Sequence, residues 1–381
     1  MYKRQAYLFK YIDINPKELL AKGALAKKIS MDKLQPFCRD VPEYEIAKFS
    51  GGTRFRNGDT IMARITPCLE NGKTAMVNIL EPGEVGFGST EFIVFRAKEG
   101  YTDPNFVYYL VKSSFVRDPA IKSMVGSSGR QRVQTDVVQN LIVPFPSLLE
   151  QRKIASILKS LDDKIALNTA INDNLEQQTQ AIFKSWFVNF EPFNGIMPYN
   201  WAACTLGDIT EMGAGGDKPK ESSPVKTLSH PYPIYSNGIN NHGLYGYTNE
   251  PKIKDESVTV SARGTIGYVC LRHHPYVPIV RLVTLIPDVN VVSAKYLYLY
   301  LCQLHIAGTG TTQQQLTVPD FRKTEIVVPD KTIMSAFTEA VTPIFEQIWV
   351  NEDENIKLAE IRDSLLPKLM SGELDVSSVE L

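Results

Sequence analysis

Two short segments contain residue types that could support catalysis on phosphates or bases. Residues 72–74 read Gly-Lys-Thr, the end of a phosphate-binding loop, but Pro67 replaces the first glycine, whose backbone must wrap the phosphates. Residues 103–106 read Asp-Pro-Asn-Phe, close to the loop with which adenine methyltransferases grip a flipped base. No glycine-rich cofactor motif after a strand accompanies them. A turn that leads into a helix explains residues 103–106 better, and neither segment favours an enzyme.

Side chains that can ligate a metal ion lie close together at Cys270, His273 and His274. A zinc site needs three or four ligands, and the remaining histidines lack a supporting spacing. Packed or solvated loop histidines are the favoured interpretation. The sequence therefore predicts no catalytic residue, no metal site and no cofactor site in this chain.

Side chains suited to reading DNA occur in two glycine-containing segments, 126–132 (GSSGRQR) and 308–315 (GTGTTQQQ), with Gln131 and Gln314 183 positions apart. Glycine lets the backbone approach phosphates, and arginine and glutamine carry forked donors that suit guanine and adenine edges. An ordinary polar turn would use the same residue types. With similar residues elsewhere, the candidate DNA-binding set is Arg54, Arg56, Arg64, Arg130, Gln131, Arg132, Ser261, Arg263, Thr265, Gln313, Gln314 and Gln315.

Charge is unevenly distributed along a chain whose formal net charge is only -1. Residues 1–145 contain 21 Lys and Arg against 15 Asp and Glu, whereas residues 331–381 contain 4 against 10. The N-terminal part is therefore cationic, and the C-terminal part is anionic. This segregation permits DNA binding without demonstrating it.

Two long stretches of helix-spaced residues end the two halves of the chain, 183 positions apart. Their steps alternate between four and three residues, and this average of about 3.5 is typical of a coiled-coil seam. The first seam contains Ile154, Leu158, Leu161, Ile165, Asn168, Asn172, Leu175, Thr179, Ile182 and Trp186. The second contains Phe337, Val341, Ile344, Ile348, Asn351, Asn355, Leu358, Arg362, Leu365 and Leu369.

The asparagines of the two seams predict how the helices pair. If the helices are antiparallel about their midpoints, Asn168 faces Asn355 and Asn172 faces Asn351. Each amide could then satisfy its partner, while a shifted register would place it against leucine or isoleucine. We therefore expect these four residues to set the register; splayed helices with solvated asparagines are the alternative.

The duplication predicts an α+β fold with two globular domains separated by two long antiparallel coiled-coil helices, related by a pseudo-two-fold axis. The expected divisions are 1–145 (first globular domain), 146–190 (first long helix), 191–330 (second globular domain) and 331–381 (second long helix and tail). Strands are predicted at 59–65, 91–95, 141–143, 257–261 and 326–328, and shorter helices at 105–115 and 294–302. The second long helix either bends at Pro343 or begins at Thr342, and the bend is favoured.

The chain has no apolar run long enough to cross a membrane and no signal-peptide pattern at its start, so a cytoplasmic location without membrane partners is expected. The chain has five cysteines, an odd number, and no two of them have a Cys-x-x-Cys spacing, so a disulfide framework is disfavoured.

Several segments, in an order that occurs twice, resemble the specificity (S) subunits of type I restriction-modification systems. Residues 144–187, where two prolines and the run Glu-Gln-Arg-Lys-Ile lead into the first seam, are similar to the family's central conserved region. Residues 365–373 are similar to its distal counterpart. Pieces that resemble target recognition domains are 63–67, 88–92, 201–208 and 261–267. The Pro-x-x-Trp opener at Pro198 and Trp201 has no equivalent in the first half.

The resemblance implies a non-catalytic subunit that binds double-stranded DNA through two target recognition domains. It also implies docking of two modification (methyltransferase) subunits and of restriction subunits, with S-adenosylmethionine and ATP/Mg on those partners. Helices of roughly 38 residues span about 55 Å, enough for the domains to contact half-sites about 34 Å apart.

Other functions stay open on the residues alone. One is a coiled-coil scaffold that dimerises and binds protein partners, because a parallel homodimer would also align equivalent asparagines. Another is an NTPase or methyltransferase that acts alone. The target bases and the spacer length do not follow from the sequence, because readout depends on loop geometry and DNA shape.

Overall fold

The computed structural model describes residues 5–127, 129–308 and 315–380, and this part of the chain forms nineteen strands and eight α-helices. The helices are α1 (Pro104–Lys112), α2 (Arg117–Lys122), α3 (Thr135–Gln139), α4 (Leu148–Phe187), α5 (Leu206–Ile209), α6 (Ala294–Gln303), α7 (Val318–Phe321) and α8 (Lys331–Ser371). The first ten strands are β1 (Gln5–Tyr7), β2 (Ile12–Ile14), β3 (Leu25–Ile29), β4 (Glu45–Lys48), β5 (Thr53–Phe55), β6 (Thr60–Ala63), β7 (Thr74–Met76), β8 (Gly86–Gly88), β9 (Phe92–Ala97) and β10 (Ile142–Pro144). The others are β11 (Ala202–Thr205), β12 (Thr210–Ala214), β13 (Tyr232–Tyr235), β14 (Leu244–Thr248), β15 (Ser257–Val260), β16 (Val269–Arg272), β17 (Val277–Pro278), β18 (Val283–Pro287) and β19 (Glu325–Val328).

The chain divides into two compact units, and both long helices contribute to each. The first unit contains Met1–Thr169 and Glu352–Leu381, and the second contains Ala170–Asn351. Each unit therefore has one globular region together with part of α4 and part of α8. The expected divisions at 145, 190 and 330 follow the ends of the helices instead, and they stay predictions.

The two units share one plan of sheets. In the first, the sheets are ordered β2-β9-β6-β7, β4-β3-β8-β5 and β1-β10; in the second they are β12-β18-β15-β16, β14-β13-β17 and β11-β19. In both units the second sheet contains one parallel pair, β3 with β8 and β13 with β17. The starts of α4 and α8, Leu148 and Lys331, are 183 positions apart, as are those of α3 and α7. The predicted α+β content and internal duplication are thus present in the fold.

The core of the first unit lies between the sheet that contains β6 and β9 and helix α1. All four residues of β6 are buried, as are the first four of β9. Asp103 caps α1 by accepting a hydrogen bond from the Phe106 N–H (3.1 Å), and Pro104 occupies the first turn. Residues 103–106 therefore begin a helix, as the sequence predicted.

The long helices bury a wider face than a coiled-coil stripe within the first unit. Asp162 and Leu366 are buried, whereas the seam residues Leu161 and Leu365 are only partly buried. The buried face is wider here because α4 and α8 pack against α1 as well as against each other. The coiled-coil arrangement itself stays a prediction. Helix α8 is continuous through Pro343, so the alternative that it begins at Thr342 was wrong.

The second unit has an aromatic core where its parts of α4 and α8 meet α6. The ring of Phe183 lies 6.0 Å from that of Phe337 and 5.4 Å from that of Tyr296. Within the described ranges, none of the helices combines the length and the apolar character that crossing a membrane requires.

Candidate nucleic-acid interface

In the first unit, the glycine-containing segment packs against the residues that follow β6. Val125 and Arg132 exchange two backbone hydrogen bonds (3.0 and 2.9 Å), which closes the segment into a narrow loop. The Thr66 N–H donates to the Gln131 carbonyl (3.1 Å), and the Val133 N–H donates to the Arg64 carbonyl (2.8 Å). The fold therefore brings Arg64 next to Gln131 and Arg132, although 67 positions separate Arg64 from Gln131. We call this arrangement the first loop pair.

The arginines of the first loop pair differ in how free their side chains are. Arg132 forms a forked ion pair with Glu91, 2.7 Å at the shortest, and its hydrogen bonds lower the pKa of Glu91. Arg64 donates to the Val133 carbonyl (3.3 Å), while its buried Nε has no hydrogen-bond partner among the described residues. Arg130 is exposed, and no described side chain pairs with it. Arg130 is thus the cation of this loop best placed to meet an external anion.

Arg54 and Arg56 lie on and just after β5, outside the first loop pair. The Arg54 guanidinium stands over the ring of Phe49, 5.8 Å from its centroid. Arg56 forms an ion pair of 2.7 Å with Glu18, a carboxylate that is 2% exposed and that also pairs with Arg96. Burial would raise the pKa of Glu18, but the two arginines together lower it. Arg56 is therefore engaged in neutralising a buried charge.

The second unit builds a similar arrangement, the second loop pair, from residues 261–267 and the chain around Gln315. The Leu316 N–H donates to the Ala262 carbonyl (3.1 Å), and Arg263 donates to the side-chain oxygen of Gln315 (3.1 Å). Thr265 is exposed, whereas Ser261 is 1% exposed, so a direct contact between Ser261 and DNA would require the loop to open. The candidates Gln313 and Gln314 lie outside the described residues.

Two residues that sequence reasoning missed support these loops. Glu91 pairs with Arg132 across 41 positions, and the Asn237 side chain accepts a hydrogen bond from the Ala262 N–H (2.7 Å) across 25 positions. Glu91 begins a strand that the sequence predicted, whereas no predicted element lies next to Asn237. No local pattern signals pairing over such separations, because it depends on the order of strands in the sheet.

His273, one of the three candidate metal ligands, has a packing role in the second unit. The ring of His273 stacks on Trp349 of α8, with centroids 4.1 Å apart and planes 14° apart. Burial, followed by the nearby charges of His274 and Lys295, lowers the pKa of His273 to about 3. Over the described ranges, no group of three or more His, Cys, Asp or Glu side chains is arranged to hold a metal ion.

The four seam asparagines have the partners that the antiparallel alignment predicts. In the first unit, the Asn168 amide donates to the Asn355 side-chain oxygen (2.9 Å) and to Glu354 (2.6 Å). In the second unit, the Asn351 amide donates to the Asn172 side-chain oxygen (2.7 Å). Whether these pairs set the register stays a prediction.

Comparison with known proteins identifies the duplicated plan. The family model described as the type I restriction modification DNA specificity domain matches the chain twice, over residues 25–177 and 198–358. The chain belongs to this family. The first match spans β3 to β10 and most of α4, and the second spans β11 to β19 and part of α8; each contains one loop pair.

Individual members of the family are similar over most of the chain. The type I restriction enzyme HindI specificity subunit of Haemophilus influenzae is 27% identical, with 84% of this chain and 87% of that protein covered. The MjaIX specificity subunit of Methanocaldococcus jannaschii is 26% identical, with 72% and 70% covered. The crystal structure of a type I restriction-modification S subunit from M. genitalium has the same fold (TM-score 0.57, 16% identity, 96% of each chain covered).

Proposed function

We propose that this protein is the DNA sequence-recognition subunit of a type I restriction-modification complex, and that each globular region reads one half of a bipartite target. The observation that carries the proposal is the repetition of the loop pair. Each unit places an arginine that follows a central strand, Arg64 or Arg263, beside the loop that precedes α3 or α7. Forked donors at two such places fit the edges of bases in the major groove.

The long helices have a separate role in this proposal. They fix the spacer between the half-sites and dock two modification subunits and the restriction subunits; S-adenosylmethionine and ATP/Mg belong to those partners. Insertion of four residues after Asn168, matched by four after Glu354, adds about 6 Å to each helix. The recognised spacer should lengthen while both half-sites stay the same, as read from methylated sites in the host genome.

The half-site assignment is tested by exchange of one globular region. The complex with its modification subunits is assembled with residues 191–330 from a relative of different specificity, and methylated sites are mapped by sequencing. We expect one half of the target to change and the other to persist. A change in both halves, or in neither, would contradict independent reading.

The competing scaffold function predicts that the complex does not bind DNA. The mass of the assembled complex, measured with and without a duplex, should rise by one duplex if the chain recognises DNA. Arg130→Gln should then lower the slope of log K against log salt by about 0.9, because one phosphate contact is lost. A complex that shows no DNA-dependent mass change but forms homodimers of this chain would support the scaffold.

A further inference from the structure

The first unit has a cleft of about 310 Å³ that the loop pair does not include. It lies where the parallel strands β3 and β8 end, so the residues that follow them, Ser30 and Ser89, lie at the same edge of the sheet. A side chain at Gly88 would come within 2.3 Å of the Ile29 carbonyl oxygen, so this part of the wall stays bare backbone. Polar side chains that line the cleft are those of Lys28, Ser30, Lys48, Ser50 and Ser89.

The chemistry of this cleft fits an anion. No carboxylate is among the described residues that line it, while two lysines and three serines are; the side chain of Ser30 is hydrogen-bonded to Asp32, which leaves Ser50 and Ser89 beside the lysines. Lys48 is exposed and has no ion-pair partner in the described part of the chain. Lys28 pairs with Glu45 (2.6 Å), but both side chains are more than one-third exposed, so this pair is weak and exchangeable. Ammonium groups and hydroxyls together are typical phosphate ligands.

The cleft is connected to the first loop pair through a short chain of contacts. The Ser89 hydroxyl accepts a hydrogen bond from the Glu91 N–H (3.1 Å), and Glu91 pairs with Arg132. One DNA strand that contacts Arg130 could therefore place a neighbouring phosphate in the cleft. We propose that this cleft binds a phosphate group of the DNA backbone, with Lys48 as its principal cation. The proposal rests on the proposed DNA-recognition function.

The test uses the assembled complex and a duplex, with affinity measured between about 50 and 200 mM salt. Lys48→Gln should reduce the slope of log K against log salt by about 0.9. The loss of DNA affinity should therefore be about threefold larger at about 50 mM salt than at about 200 mM salt. Lys10→Gln, which removes an exposed lysine that does not line the cleft, should leave the slope unchanged. Glu45→Gln, which releases Lys28, should strengthen low-salt binding more than Glu99→Gln does.

The outcomes separate this inference from the function on which it rests. If Lys48→Gln leaves the salt slope unchanged while Arg130→Gln reduces it, the proposal that the cleft binds a backbone phosphate is wrong, and the DNA-recognition function still stands. Absence of DNA binding by the wild-type complex would overturn both. Calorimetry with inorganic phosphate tests whether the cleft binds free phosphate instead of the DNA backbone. If Lys48→Gln weakens phosphate binding but leaves the salt slope of DNA binding unchanged, the assignment to the DNA backbone is wrong.

Discussion

Arg362 of α8 donates a hydrogen bond to Asp162 of α4 across 2.6 Å, with only 7% and 6% of the two side chains exposed. Tyr109 of α1 donates to the second oxygen of Asp162 (2.7 Å). One buried carboxylate thus links both long helices of the first unit to its globular region. Rotation of either helix within this unit would separate Asp162 from Arg362 in the core.

Asp162→Leu should destabilise the first unit strongly, because the buried Arg362 would lose its buried partner and keep only its ion pair of 2.8 Å with the exposed Asp363. The expected loss is about 3–5 kcal/mol in the free energy of unfolding, measured by urea denaturation. Adding Arg362→Met should restore most of the stability. Glu43→Gln, at the exposed end of the Lys33 ion pair, should cost under about 1 kcal/mol. If Asp162→Leu and Glu43→Gln lower the free energy of unfolding equally, this account is wrong.

Asn168→Leu should destabilise the helix pair, because Asn168 is fully buried and its amide would no longer meet Asn355. We expect a loss of roughly 1–3 kcal/mol, again from urea denaturation. The double change with Asn355→Leu should be less damaging than the sum of the single changes. Asn174→Leu, at an exposed pair with Gln178, should stay within about 0.5 kcal/mol. Additive losses would mean that the amides do not depend on each other.

The stability of the second unit should fall as the pH falls from 6.5 towards 3. The pKa of His273 is about 3 in the folded chain, against 6.5 ordinarily, so the unfolded chain binds more protons in this window. The free energy of unfolding should decrease by up to about 1.4 kcal/mol per pH unit. His273→Phe keeps a ring on Trp349 and should flatten the profile, whereas His305→Gln, at an exposed position, should not. The same profile for His273→Phe and wild type would refute this role.

Glu91→Gln should tighten DNA binding, because it releases Arg132 from its forked ion pair. The salt slope should steepen by about 0.9 if Arg132 then reaches a phosphate. Glu99→Gln removes the same charge from an exposed position and is the matched control. If both variants bind alike, Arg132 has only a structural role.

The sequence alone determined the repeat and its helices. The offset of 183 residues between the two seams is also the offset between the starts of α4 and α8, and the seam predicted the partner of each asparagine. These features are local: helical spacing, capping residues and prolines act over a few positions, so they can be read directly. The partners of the asparagines could be predicted because, once two regular helices pair in an antiparallel orientation, only their register remains to be determined.

Only the tertiary structure decided which candidate arginines are free. Arg132 is paired with Glu91, Arg56 with Glu18 and Arg263 with Gln315. From the sequence alone, all of them were equal candidates with Arg130, which is exposed. It also gave no sign of Asp162 as a buried partner of Arg362, because 200 positions separate the two. Such pairs form where strand order and helix packing bring distant side chains together, and no local pattern encodes that order.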